Sequence, residues 1–166
     1  MLPEIQKILY ATGLGPGAPF VFRHALSLAR KHGAQIHAVH AMEPLSPFAQ
    51  SLVELHISHD ASEQMHRQAG ETLKAKLQER IRLLCEKENG DGTGCPVTDI
   101  RVVEGQPSQC ILAAAEEIGA DLIVMGSHRH SVLGDAMLGT TTHKVLHSAV
   151  IPVLVVRIPE GYREDL

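Results

Sequence analysis

The run Asp121-Leu122-Ile123-Val124-Met125, closed by Gly126, constrains the fold more than any other segment of the chain. Four successive large apolar side chains without polar alternation predict a strand buried on both faces. Such a strand belongs to a parallel sheet with helices packed on either side. The remaining sequence supplies the elements that sheet needs. Residues 7–12, 35–42, 97–103 and 152–156 read as four further strands. Between them, apolar positions recur at helical spacing. Val21, Ala25, Leu28 and Ala29 mark a helix over residues 18–32, with Gly33 placed as its C-terminal cap. Met65, Ala69, Leu73, Leu77, Ile81 and Leu84 mark a long helix, with Asp60 and Glu63 spaced as a capping box. Ile111, Leu112, Ala115 and Ile118 share a third helical face, and residues 140–148 read as the last helix. Residues 43–59 carry Pro44 and Pro47 and no clear period, so they read as a long loop. The order β-α-β-α-β-α-β-α-β predicts an open, doubly wound α/β fold: five parallel strands, helices on both faces, right-handed crossovers. With 166 residues and no internal repeat, residues 1–166 are expected to form one domain.

Composition excludes several kinds of function. Lys and Arg number 15 against 19 Asp and Glu, a net charge of −4, with no basic tract to bind nucleic acid. Aromatic residues make up 3% of the chain and Trp is absent, so the core is aliphatic and stacking platforms for bases are few. No apolar run approaches the roughly 18 residues that cross a bilayer, so no membrane partner is expected. The first residues lack a secretory pattern, which makes a cytoplasmic, reducing setting the expectation. The three cysteines, Cys85, Cys95 and Cys110, have no metal-ligand spacing, and their odd count argues against a disulfide framework. Cys85 and Cys110 read as small core residues or inert thiols. Of the eleven histidines, His143 and His147 stand one helical turn apart, and His56, His59 and His66 cluster near the long loop. None has an acidic or cysteine partner at metal-binding spacing, so they read as surface or interface residues and no metal ligand is assigned. There is no GxxxxGK[ST], no GxGxxG and no G-x-S-x-G; Ser127 beside His128 is adjacency alone, so no catalytic residue is assigned.

In doubly wound sheets the binding crevice lies beyond the carboxyl ends of the strands, where strand order reverses. The loops leaving the first strand, at Ala11, Thr12 and Gly13, and the fourth, at Gly126, Ser127 and His128, are the candidates. Gly139-Thr140-Thr141 adds a glycine, two hydroxyls and a helix start. Glycine lets a ligand approach the backbone, and the unpaired amides of a helix N-terminus favour an anion such as phosphate.

These segments resemble the universal stress proteins. The resemblance rests on residues 7–12, the helix end at residues 25–33, His40-Ala41-Met42-Glu43, residues 120–128 and residues 139–156. Nucleotide-binding members carry G-x2-G-x9-G-[S/T]; here Gly126 fills the first position and Gly139-Thr140 the last two, while Arg129 replaces the second glycine. The resemblance implies the adenine nucleotide alpha hydrolase-like strand order 3-2-1-4-5. It also implies a site for ATP or AMP, with Mg2+, that includes Ala11 and Gly13, in which Thr12 and Ala41 hold adenosine by backbone contacts and Gly126, Arg129, Gly139, Thr140 and Thr141 cradle the phosphates. Gly13 stands where binding members place an Asp that contacts the ribose. Arg129 either pairs with phosphate oxygens or adds bulk beside their path. Three functions follow: a nucleotide-binding stress-response regulator, a homodimeric interaction module without nucleotide, or a slow ATP hydrolase using His128 or His130. The resemblance further implies a homodimer paired through the last strand, where Val153, Leu154, Val155 and Val156 would otherwise leave an apolar edge.

Overall fold

A computed structural model describes residues 2–90, 92, 94–127 and 138–165. Its strands are β1 (Lys7–Ala11), β2 (Gln35–Met42), β3 (Val97–Glu104), β4 (Leu122–Ser127) and β5 (Val153–Arg157). Its helices are α1 (Ala18–His32), α2 (Pro47–Glu54), α3 (His59–Lys87), α4 (Pro107–Ile118) and α5 (Thr140–Ser148). All strand pairs are parallel, in the order β3-β2-β1-β4-β5. This is the doubly wound fold and strand order expected.

Side-chain alternation divides each central strand between two cores. Ile8 and Tyr10 pack with Ile36, Ala38, Leu122 and Val124 beneath Phe22, Ala25 and Leu26 of α1 and Ile81 and Leu84 of α3. Leu9 packs with Val39, Ile123 and Met125 on the opposite face, beneath Ile111, Ala114 and Ala115 of α4 and Val145 of α5. The four apolar residues of β4 therefore serve two cores in turn, which explains why the run has no polar alternation. Register is fixed at the start of the sheet by Asp121, whose Oδ2 accepts the backbone N–H groups of Gln6 (2.8 Å) and Lys7 (2.9 Å). α1 ends as its sequence predicts: Gly33 adopts φ 65°, its N–H reaches the carbonyl of Ala29, and Arg30, Lys31 and His32 occupy the last turn.

Four expectations require correction. Residues 43–59 contain the helix α2; Pro47 opens its first turn, where a missing N–H does no harm, and Ser46 Oγ accepts from the N–H of Ala49. α3 begins one residue before Asp60, capped by Ser58, whose Oγ accepts from the N–H of Ala61. Its apolar stripe is buried only from Leu77 onward; Met65 is 60% exposed. At about 43 Å the 29-residue helix is far longer than the eight-residue strand β3 beside it. Finally, Cys85 and Cys95 are joined in a disulfide, with Cα atoms 5.4 Å apart, and Cys110 is the free thiol. The odd count does not reveal the pair because it depends on the chain returning past the end of α3, where the Gly94 N–H donates to Asn89 Oδ1 at 3.1 Å. Among the described residues no helix is long and apolar enough to cross a membrane.

Candidate functional site

The carboxyl ends of β1, β2 and β4 open into a crevice of about 670 Å³. β1 and its following loop contribute Ala11, Thr12 and Gly13, β2 contributes Ala41, and β4 contributes Gly126. Gly139, Thr140 and Thr141 enter from the N-terminus of α5. Eight residues named from sequence thus line one cavity, at the point where the chain runs outward from β1 in both directions. Arg129, His128 and His130 lie outside the described residues.

Local hydrogen bonds shape each wall. Thr12 extends β1 by donating its N–H to the carbonyl of Val39 (2.9 Å), while its own carbonyl accepts from His40 Nδ1 at 2.8 Å. The loop after Gly13 is held from α3: Arg80 Nη1 donates to the carbonyl of Leu14 (3.0 Å) and Nη2 to that of Gly15 (3.1 Å). Beneath it, the Tyr10 hydroxyl donates to the carbonyl of Ala18 at 3.1 Å, and burial pushes its pKa up to about 12. Tyr10 therefore stays neutral and acts as a brace. On the far wall, buried Thr142 donates from Oγ1 to the carbonyl of Gly126 (3.4 Å), tying α5 to the end of β4. α5 has Gly139 at its N-cap. Among the described residues no side chain caps its first-turn amides, and a helix N-terminus of this kind favours an anion.

Gly126 has a packing role that its place in the motif did not reveal. A Cβ there would stand 2.8 Å from Val21 Cγ2 of α1 and 3.5 Å from Ile158 Cδ1. Gly17 is under the same pressure, since its Cβ would meet Ile158 Cδ1 at 2.6 Å. β4 also continues through Gly126 to Ser127, so the glycine lies inside the strand it was expected to end.

Sequence reasoning missed Leu73, Pro107, Ile111 and Ile158, which supply apolar lining from α3, α4 and the segment after β5. Nothing in their spacing marks them, because they reach the crevice only through tertiary packing. In the sequence His40 stands out only as part of the segment His40-Ala41-Met42-Glu43. Among the described lining residues, Glu43 is the one carboxylate, and none is Lys or Arg. Tyr10 is the one Phe, Tyr or Trp among them and is 2% exposed, so apart from the His40 imidazole a bound base would meet aliphatic groups and backbone.

A five-stranded parallel sheet with its crevice at the reversal of strand order defines a doubly wound α/β protein. Residues 4–157 match the profile of the Universal stress protein family, and the chain belongs to that family. Universal stress protein A homolog 2 of Coxiella burnetii is 31% identical over 161 residues, covering 95% of this chain and 98% of that protein. Universal stress protein MJ0577 of Methanocaldococcus jannaschii is 29% identical over 154 residues, covering 92% and 94%. Its solved structure superposes with a TM-score of 0.68 over 96% of this chain and all of that one, at 24% identity. A universal stress protein solved in complex with cAMP superposes with a TM-score of 0.58 at 18% identity, over 95% of this chain and 100% of that one.

Proposed function

We propose that this protein is a stress-response regulator that binds an adenine nucleotide, ATP or AMP, in the crevice between β1, β4 and α5. The observation that carries the reading is the convergence of Ala11, Thr12, Gly13, Ala41, Gly126, Gly139, Thr140 and Thr141 on one cavity. The uncapped first turn of α5 offers amides suited to phosphate, and the apolar strand ends suit a purine. That a relative was solved with cAMP supports the same ligand class. Mg2+ fits here as the counterion of the phosphates: Glu43 is the single described carboxylate, too few for a protein-built octahedral site. Arg129 would add charge to the phosphate end.

The dimer belongs to the same proposal. β5 is an edge strand in which Val153, Leu154 and Val155 are only partly buried. Pairing with a second copy across a two-fold axis would cover them.

A second reading, an interaction module without nucleotide, gains support from the absence of Lys and Arg among the described lining residues. Thermal unfolding with no ligand, with AMP and with Mg-ATP separates the two. The nucleotide reading requires a rise in Tm at millimolar ligand, and no shift with either nucleotide overturns it. Phosphate release from Mg-ATP, measured on the same samples, tests for hydrolysis.

A further inference from the structure

We infer that His40 presents a hydrogen-bond acceptor to the ligand in the crevice beside Gly13. The inference rests on the nucleotide reading above and names the polar contact it needs. His40 Nδ1 lies 2.8 Å from the carbonyl oxygen of Thr12. A carbonyl only accepts, so Nδ1 must carry the proton. In the neutral ring Nε2 is then a bare acceptor. No described protein group takes it, and it is not a buried atom left without a partner. His40 is one of the residues that line the crevice at the ends of β1 and β2, together with Gly13 and Ala41. The Thr12 carbonyl therefore fixes both the tautomer and the orientation of the side chain of a crevice-lining residue.

An aimed, unpaired acceptor in a largely apolar cavity selects a ligand that brings a donor to it and rejects one that does not. A nucleotide carries two kinds of donor, the ribose hydroxyls and the exocyclic amino group of adenine. Glu43, the one carboxylate in the described lining, is exposed and follows the end of β2, and the lining hydroxyls of Thr12 and Thr142 already donate to the carbonyls of Gly13 and Gly126. His40 is thus a specificity-determining residue whose partner is a hydroxyl or amino group of the bound nucleotide.

The test is a calorimetric binding series on the full chain with AMP, 2′-deoxy-AMP, 3′-deoxy-AMP and the monophosphate of purine riboside, which lacks the amino group. His40→Asn keeps an N–H beside the Thr12 carbonyl but removes the distal acceptor. It should weaken AMP by about five- to thirtyfold, with the ligand-free Tm unchanged. His40→Gln, which restores an oxygen near the Nε2 position, should recover part of that loss. The analogue lacking the true partner should bind wild type and His40→Asn equally, which identifies the donor as ribose or base. Wild-type binding of AMP with no loss in His40→Asn overturns the inference alone. A loss of the same size for all four ligands also overturns it, because His40 would then act through the fold. No wild-type binding of any of the four overturns the nucleotide reading and this inference together.

Discussion

Arg23 and Glu164, 141 residues apart in the chain, meet as a two-pronged ion pair, Nη1 to Oε2 at 2.6 Å and Nη2 to Oε1 at 3.0 Å. Arg23 also binds Glu88 at the end of α3 (2.6 Å), and Glu164 receives Lys87 Nζ (2.7 Å). One guanidinium on α1 therefore ties together α3 and the segment that follows β5. The Arg23 hydrogen bonds hold the Glu164 carboxyl well below its ordinary value of 4.5, so folding favours its ionised form. The contribution is full at neutral pH and fades as pH falls below 4.5 toward the depressed value. Glu164→Gln should lower stability at neutral pH by about 1–2 kcal/mol. It should also flatten the acid limb of a stability profile measured by urea unfolding. Parallel profiles for wild type and variant would show that the pair contributes nothing.

Gly126→Ala should destabilise the fold by about 1–3 kcal/mol, because the new methyl meets Val21 Cγ2 at 2.8 Å. Val21 is β-branched on a helix and has little rotamer freedom with which to retreat. Val21→Ala in the same chain should restore part of the loss, a coupling that a double-mutant cycle in denaturant would report.

Reduction of the Cys85–Cys95 disulfide should cost about 2–3 kcal/mol, the chain-entropy expectation for a loop this short. Urea unfolding with and without a dithiol reductant gives the difference. A Cys95→Ser variant should match the reduced wild type and lose its sensitivity to reductant. Cys95 suits this better than Cys85, a residue of α3 that is buried in the core.

Arg80→Met keeps the length of the side-chain stem but removes the two donors to Leu14 and Gly15. Hydrogen exchange at residues 13–17 should accelerate while exchange in β1 and β4 is unchanged, since those strands keep their ladders. Uniform acceleration across the sheet would mean that Arg80 supports the whole fold rather than this loop.

The sheet was legible because β4 announces its burial on both faces and α1 carries its own cap at Gly33. Those signals are local, and the structure keeps them. α2 is not legible in the sequence because residues 43–59 carry two prolines and no clear apolar period, although a proline in the first helical turn is compatible with a start. The disulfide and the tail contacts of Glu164 join segments that only packing brings together. Glycines at 13, 126 and 139 marked the crevice, but not that Gly126 also answers to Val21. The orienting bond from His40 to Thr12 depends on the pairing of β1 with β2, which no linear spacing encodes.

The position of β1 in the sheet has a consequence for biosynthesis. Although it is the first of the five strands to be made, β1 lies in the middle, with Ile8 paired to Ile36 on one side and to Leu122 on the other. While β2 and β3 emerge from the ribosome, the second edge of β1 stays open, and it is covered only when β4 arrives more than a hundred residues later. During that interval the nascent chain shows an apolar ladder to its surroundings. The segment that later walls the crevice is thus open to a chaperone throughout that interval.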